Sequence, residues 1–550
     1  TPVPASQRAA ALRDLDLPFD VIVIGGGVNG TGVAWDAALR GLRVLLLEKG
    51  DLSSGTSAWS SRLIHGGLKY LERYDFKLAR ESLREREWLL NAAPHLVKPL
   101  RFVLPFYSTN GHGRHKLRAG MIAYDVLSFD KSLDRHIVES REEILKRIPE
   151  LNADGLQGAA LYYDGQVEYA ERLSVETALA ARDMGATVLT YARVDRLVLD
   201  GRRVVGVEFE DLETGQTHSA RAGVTVNVAG PWVDHVLAGL GLADTPRMIG
   251  GTKGTHYYVD PFPGAPADAM YYEARSDGRP MMIIPWLDGY LIGSTDERFE
   301  GDLDTATGDA DEAHYILAET NAAIPSANLT PEDIRYSYTG VRPLPYKPDG
   351  SVAEITRRHI VHDHAPSVEG LLSVVGGKLT TFRALGDHAV GGVLKKLGRP
   401  KSKTPTLRLK LPGGLGYDRP RLVEGLQRSG LSAESAVRLV RIYGSRATGI
   451  AALLAERPEL GAVVDEPTGA LAAEVAFAFR EEFAVRLADV VGRRAMTGLH
   501  PSLGLTGLEA TAEVAQREAG WSDERTAQEI EDYHRYVQRF RPPAAVGART

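Results

Sequence analysis

The sequence predicts an α/β protein of two to four domains, and three observations carry that prediction. Residues 19–48 read as one βαβ unit holding a dinucleotide fingerprint. Short apolar strands separated by turns follow through the middle of the chain. Beyond residue 414 the periodicity is helical.

The βαβ unit opens on Val21, Ile22, Val23 and Ile24, a continuous apolar run of the kind buried on both faces of a parallel sheet. Gly25, Gly27 and Gly30 follow at G-x-G-x-x-G spacing. The first permits the tight turn, the second lets backbone approach a pyrophosphate, and the third lets helix and strand pack closely. The pattern predicts a helix from Val28 to about Arg40, stopped at Gly41. A second apolar run, 44–47, ends at Glu48, close to the roughly 20 residues past the fingerprint where an acid takes ribose hydroxyls. Strand, fingerprint, helix, strand and acid in that order point to an adenine dinucleotide. Residues 51–57, rich in Ser, Thr and Gly, can donate hydrogen bonds to its phosphates. So can the N–H groups opening the helix after Gly27.

The chain then turns helical and charged over about 74–90. Strands are expected at 186–191, 194–199, 203–210 and 221–228, the last ending in the small residues Ala229-Gly230. Residues 251–300 suggest a second sheet, with strands at 257–259, 281–285 and 290–292. Another apolar strand, 371–375, runs into Gly376-Gly377, and residues 376–381 are placed to open a helix. Residues 399–414, rich in Pro, Lys and Gly, read as a linker. Past it, Val475, Phe479, Phe483 and Leu487 recur every four residues, as on one helix face. Residues 541–550 read as a loose tail.

Composition narrows the function. Cysteine is absent, which excludes disulfides, thiolate catalysis, cysteine-ligated iron–sulfur clusters and cysteine-linked flavin. Redox chemistry must rely on an organic cofactor or a non-thiolate metal. His362-Asp363-His364 has an H-x-H spacing but no further ligands, and reads as a solvated turn. The net charge of -7 gives no reason to expect nucleic acid binding. No apolar run approaches the ~18 residues of a membrane span. Residues 1–18 lack a secretory apolar core, so a cytoplasmic location is expected.

Six further motifs are more specific. They are Ser60-Ser61-Arg62-Leu63-Ile64-His65-Gly66-Gly67-Leu68-Lys69-Tyr70-Leu71-Glu72, Asn227-Val228-Ala229-Gly230-Pro231-Trp232, Lys253-Gly254-Thr255-His256, Ile292-Gly293-Ser294-Thr295-Asp296, Gly340-Val341-Arg342-Pro343-Leu344, and Gly376-Gly377-Lys378-Leu379-Thr380-Thr381-Phe382-Arg383. In this order they resemble the FAD-dependent (aerobic, quinone-linked) glycerol-3-phosphate dehydrogenases over nearly the whole chain. Glu481 to Ala484 and Arg493-Arg494 resemble that family's C-terminal helical domain.

The resemblance implies a glutathione-reductase-type FAD-binding Rossmann domain with an antiparallel-sheet substrate domain and a C-terminal α-helical domain. The expected division is 19–75, 160–250 and 340–398 for the FAD domain and 76–159 and 251–339 for the substrate domain. Residues 399–414 would link to helices at 415–540. It also implies oxidation of sn-glycerol 3-phosphate to dihydroxyacetone phosphate, with electrons passed to a membrane quinone. The enzyme would sit peripherally on the inner face of the cell membrane, with a homodimer as one expected assembly. Two alternatives stay open: a glycerol-3-phosphate oxidase using oxygen, and a related flavin-dependent amine or amino-acid oxidase.

Gly25, Gly27, Asn29, Gly30, Glu48, Ser57, His65, Gly66, Gly230, Gly377, Leu379 and Thr380 are the expected FAD contacts, with His65 orienting the flavin ring. A phosphate of charge about −2 needs cations, and Arg342, Arg357, Lys378 and Lys69 lie in or near the motifs, with Tyr70 able to add a hydroxyl. Lys69 stands where the family usually has arginine, which keeps the charge and removes the bidentate fork. Removal of the hydroxyl proton needs a base titrating near neutrality, for which His256 qualifies by residue type. Arg342 and Lys378 can stabilise a developing alkoxide. The basic run 114–118, with Leu117, Met121 and Tyr124 at helical spacing and Ile122, Val126, Leu127 and Phe129 nearby, suits a helix lying in an anionic membrane surface.

Overall fold

The computed structural model describes residues 3–68, 70, 75–108, 114–129, 131–242, 245–350 and 355–543. Two large sheets organise it. In the first, Leu371–Val375, Gln216–Asn227, Phe19–Ile24, Val44–Leu47 and Thr187–Leu189 lie side by side and parallel, in that order. The apolar run read from the sequence is the central strand. Val21, Ile22 and Val23 are wholly buried, each contributing about 1.5–3 kcal/mol on leaving water. Helix Val28–Leu39 packs on one face between Ala170–Asp183 and Phe382–Lys396. The strands Ala192–Asp200 and Arg203–Asp211 form an antiparallel meander with Gln216–Asn227.

The second sheet has ten strands. Its longest antiparallel pair, Val97–Tyr107 and Leu156–Val167, lies toward one side, and the opposite side carries Thr252–Val259 against Ile334–Arg342. One junction, Ala269–Glu273 on Val97–Tyr107, is parallel, so the sheet is mixed rather than purely antiparallel. Strand Leu156–Val167 pairs entirely within this sheet, which moves the edge of the nucleotide-binding part past residue 160. Leu63–Ile64 also joins this sheet, so the chain crosses between layers just before His65.

The C-terminal region is helical, with Arg419–Arg428, Ala433–Tyr443, Ala447–Glu456, Ala472–Glu481, Leu508–Ala519 and Asp523–Tyr536 as its main helices. The four-residue repeat at 475–487 does not form one face. The helix ends at Glu481, Phe483 takes φ 59°, and Leu487 opens a separate turn. The break turns Glu482 inward, where Arg172 and Arg446 hold its carboxylate. Residues 399–414, read as a linker, are exposed over 399–403 and 407–410 and anchored at Thr406 and Leu411. Leu411 is buried, and Trp88 Nε1 donates to Thr406 O at 3.1 Å. His362 and Asp363 lie on the edge strand Ile360–Asp363 rather than in a turn, because the buried strand Leu371–Val375 pairs with them. Among the described residues no helix is long and apolar enough to cross a membrane.

Candidate active site

The carboxyl ends of the parallel strands open into a cleft of about 1670 Å³ that runs from the fingerprint to the second sheet, the place where open α/β sheets bind ligands. Every described residue of the expected site lines it except Gly30 and Gly66. Gly30 serves packing. A Cβ there would stand 1.8 Å from Gly25 O, so only glycine lets the helix sit on the strand end. Gly66 lies behind the cleft wall, its N–H donated to Asp164 Oδ1 at 2.9 Å. Lys69 lies outside the described residues.

At the fingerprint end, Glu48 accepts from Gly26 N at 2.5 Å and Gly50 N at 2.8 Å. Burial pushes its carboxyl up. Two carboxylate oxygens have lone pairs beyond these two bonds for ribose hydroxyls. Ser57 Oγ accepts Val28 N at 3.0 Å, so the first helical N–H is already taken and the hydroxyl stands at the helix mouth. The Oδ1 of Asn29, buried in the wall, has no hydrogen-bond partner among the described residues. Such an atom is expected to meet a ligand.

In mid-cleft, the loop 376–381 joins strand Leu371–Val375 to helix Phe382–Lys396. His65 N donates to Thr380 Oγ1 at 3.3 Å, tying two of the sequence motifs together. Burial lowers the His65 pKa.

The cations gather where the second sheet meets this loop. Arg342 ends its strand with its guanidinium over Gly254 of the neighbouring strand, where a Cβ would stand 2.2 Å from Nη2. Its Nη1 is 3.1 Å from Asp296 Oδ1 and its Nη2 is 3.1 Å from Ser294 Oγ. Arg357 Nη2 reaches the other oxygen of Asp296 at 2.8 Å. One carboxylate therefore serves two arginines. Burial favours the neutral acid, but Arg342 and Arg357 hold Asp296 below the usual carboxylate range. Lys378 Nζ lies 4.0 Å over the Tyr70 ring and 3.4 Å from Ser82 Oγ. Burial, aided by Arg357 and Arg358 and opposed by Glu81 and Asp75, brings its pKa down to about 7.

His256 departs from the sequence expectation. Its Nε2 lies 2.8 Å from Ser61 Oγ, its ring stacks on Tyr338, and its Nδ1 is buried without a partner among the described residues. Burial first, then Arg342 and Arg62, push its pKa down to about 3. The imidazole is neutral at physiological pH, and the group poised near neutrality is Lys378. The spacing of residues showed neither burial nor cationic neighbours.

Sequence reasoning passed over Asp296, Ser294 and Ser61 as site residues, although all three lie inside quoted motifs. A carboxylate among cations was the available signal for Asp296. Phe76, Phe102, Leu104, Phe106, Ala123 and Met282 supply apolar lining to the cleft, which also holds Tyr271, Glu273 and Asp277. Ala123 belongs to helix Arg114–Leu127. Met121 and Tyr124 of that helix are buried, so they are not a membrane-facing stripe. Ile122 and Val126, with Phe129 just beyond, are 50%, 64% and 78% exposed. The side chains of 114–118 lie outside the described residues.

A family model described as FAD dependent oxidoreductase matches residues 20–383. A second, the C-terminal domain of alpha-glycerophosphate oxidase, matches residues 404–526. The chain is 44% identical over 534 residues to a glycerol-3-phosphate dehydrogenase of Synechocystis sp., covering 94% of this chain and 96% of that protein. It is 35% identical to glycerol-3-phosphate dehydrogenase 2 of Mycobacterium tuberculosis, covering 97% and 90%. Its fold is similar to the crystal structure of the glycerol-3-phosphate dehydrogenase from Bacillus halodurans complexed with FAD, with a TM-score of 0.81, 26% identity and 98% of both chains covered.

Proposed function

The chain belongs to the family of FAD-dependent glycerol-3-phosphate dehydrogenases, and on that premise we propose that it passes the electrons of sn-glycerol 3-phosphate to a membrane quinone, from the inner face of the cell membrane. The enzyme is an FAD-dependent glycerol-3-phosphate dehydrogenase. The cleft fits the cofactor: a glycine fingerprint at a helix mouth, an acid for ribose, and the unpartnered Asn29 Oδ1. When bound, FAD supplies the hydride acceptor for carbon 2.

The single observation that carries the substrate reading is the pair Arg342 and Arg357, which share Asp296 as their carboxylate among the described residues, with Lys378 in the same cleft. Two guanidinium forks converging on one point suit the several oxygens of a phosphate, whereas an amino-acid carboxylate needs one arginine. In our reading the arginines bind the phosphate and stabilise charge on the developing oxyanion, with Tyr70 adding a hydroxyl contact. Lys378 in its neutral form takes the hydroxyl proton, because its pKa lies where a general base works best. Neutral His256, fixed by Ser61, orients the hydroxyl by hydrogen bonding rather than by titrating.

The apolar lining of the cleft supports a lipophilic acceptor. The exposed Ile122, Val126 and Phe129 on its outer wall support docking to a lipid surface. The test is anaerobic: glycerol 3-phosphate is added to the yellow holoenzyme and flavin absorbance is followed. Rapid bleaching is expected, then reoxidation by a short-chain quinone faster than by air. Bleaching followed by equally fast reoxidation in air favours the oxidase alternative. An unchanged spectrum in protein that dithionite does bleach sinks the substrate assignment.

A further inference from the structure

We propose that the C-terminal helical domain retains the FAD, with Arg493 and Arg494 acting through Asp51 as positioning residues for the loop 51–57. The second half of this loop, Ser54 to Ser57, lines the cofactor site. Ser53 N donates to Gly26 O at 3.1 Å inside the fingerprint, and Ser57 Oγ accepts the first helical N–H. Thr56 Oγ1 donates to Val341 O at 2.6 Å, one residue before Arg342. The loop does not hold this shape by its own preference. Ser53 takes φ 63°, a left-handed conformation that a residue with a Cβ adopts only when its surroundings impose it.

The imposing contacts come from the other end of the chain. Asp51, 1% exposed, accepts from Arg493 Nε at 2.5 Å and from Arg494 Nη1 and Nη2 at 2.8 and 2.7 Å. Both arginines stand on the π-helical turn Val490–Arg494, a conformation frequent at functional sites. Arg493 also donates to Asp489 Oδ1 at 3.0 Å, which accepts from Tyr191 Oη at 2.5 Å. Tyr191 N in turn donates to Gly50 O at 2.9 Å. The circuit of two arginines and two aspartates closes on the residue just before the loop. None of its members lines the cleft, so its effect on the cofactor passes through backbone alone. Removing either arginine leaves the buried Asp51 with a single cation, a perturbation at the cofactor's edge.

The test uses purified full-length holoenzyme carrying Arg494→Met or Arg493→Met, with Arg438→Met as control. Arg438 makes an ion pair with Glu474 inside the C-terminal domain and donates to Ala495 O at 2.6 Å, so it ties the same turn to that domain without touching Asp51. FAD affinity is measured by flavin fluorescence on reconstitution, and melting temperature is measured alongside. Arg494→Met, losing two bonds to Asp51, is expected to weaken FAD binding about ten-fold or more. Arg493→Met should weaken it less, and Arg494→Lys should restore part of it. The KM for glycerol 3-phosphate at saturating FAD should stay within about two-fold in all of them. Arg438→Met should lower the melting temperature and keep FAD affinity. Undiminished FAD affinity in Arg494→Met overturns the proposal. So does an equal FAD loss in Arg438→Met, which would make the loss a general consequence of destabilisation. Where Arg494→Met does not accumulate as folded protein, Arg493→Met decides by the same criteria, since it keeps the bidentate Arg494–Asp51 pair.

Discussion

Two groups of buried cations behave in opposite ways. Arg62, Arg172 and Arg494 each hold a carboxylate of Glu171, Glu482 or Asp51 through two bonds at 2.6 to 2.9 Å. Burial alone would lower the pKa of Arg62 and Arg172, but Glu171 and Glu482 raise both above the ordinary value. Arg342 and Arg357 share one carboxylate, and Lys378 touches a ring and a hydroxyl. Burial lowers the pKa of Arg342 and Lys378, and their carboxylate neighbours do not restore it. On our proposal, a cation with its own anion is scaffold, whereas a cation that shares or lacks one meets the ligand. The contrast separates function from framework among residues of the same type.

The hardest blow to the contrast falls on Lys378. Lys378→Arg keeps the positive charge but cannot shed a proton at physiological pH. It is expected to lower kcat by about 10²–10⁴, with KM within a few-fold and no loss of melting temperature. In the parent enzyme kcat/KM should rise with pH through about 7, as Lys378 loses its proton, and this limb should vanish in the variant. A parent-like kcat in Lys378→Arg would remove Lys378 as proton acceptor.

The scaffold side should give the reverse result. Arg172→Met strands the buried Glu482, and a loss of about 3–5 kcal/mol in unfolding free energy is expected from denaturant titration. Turnover per bound flavin should be kept. A variant of parent stability and low turnover would erase the distinction.

Acid should act on the same pair. Arg172 and Arg446, against the opposing effect of burial, hold Glu482 down to about 2. A depressed carboxylate contributes stability that is complete above its unfolded value and is lost as pH falls through the folded one. The window is pH 4.5 down to about 2, and the loss is about 3 kcal/mol. Glu482→Gln should flatten this slope in acid unfolding monitored by circular dichroism.

The smallest effect sharpens the comparison most. Gly254→Ala places a methyl against the end of the flexible Arg342 side chain, which can swing aside. Stability should change by less than about 1 kcal/mol, while KM for glycerol 3-phosphate rises about ten-fold, or 1.4 kcal/mol. An unchanged KM would mean that Arg342 does not grip the phosphate from its present position.

The parts that were legible in the sequence are local. The fingerprint, its helix and Glu48 lie within one βαβ unit, where spacing alone dictates geometry. The cations Arg342 and Lys378 sat in motifs that a resemblance could carry over. Burial was the missing variable elsewhere. It makes His256 neutral, brings Lys378 to about 7, and anchors Leu411 within the stretch that composition marked as a linker. The break after Glu481 was hidden because a four-residue repeat does not report a carboxylate drawn inward by Arg172. Asp51 and Arg494 carried no mutual signal at all, being 443 residues apart.

That separation has a consequence in time. Chains grow at about 5–20 residues per second, so residue 51 emerges roughly 20 to 90 s before the arginines that hold it. Through that interval Asp51 lacks the two arginines that pair with it, and the loop keeps only its other contacts, those to the fingerprint among them. Tight cofactor capture would then be a late event in biogenesis, and a ribosome that stops short of Arg493 would release a chain with its fingerprint intact and a weakened hold on flavin.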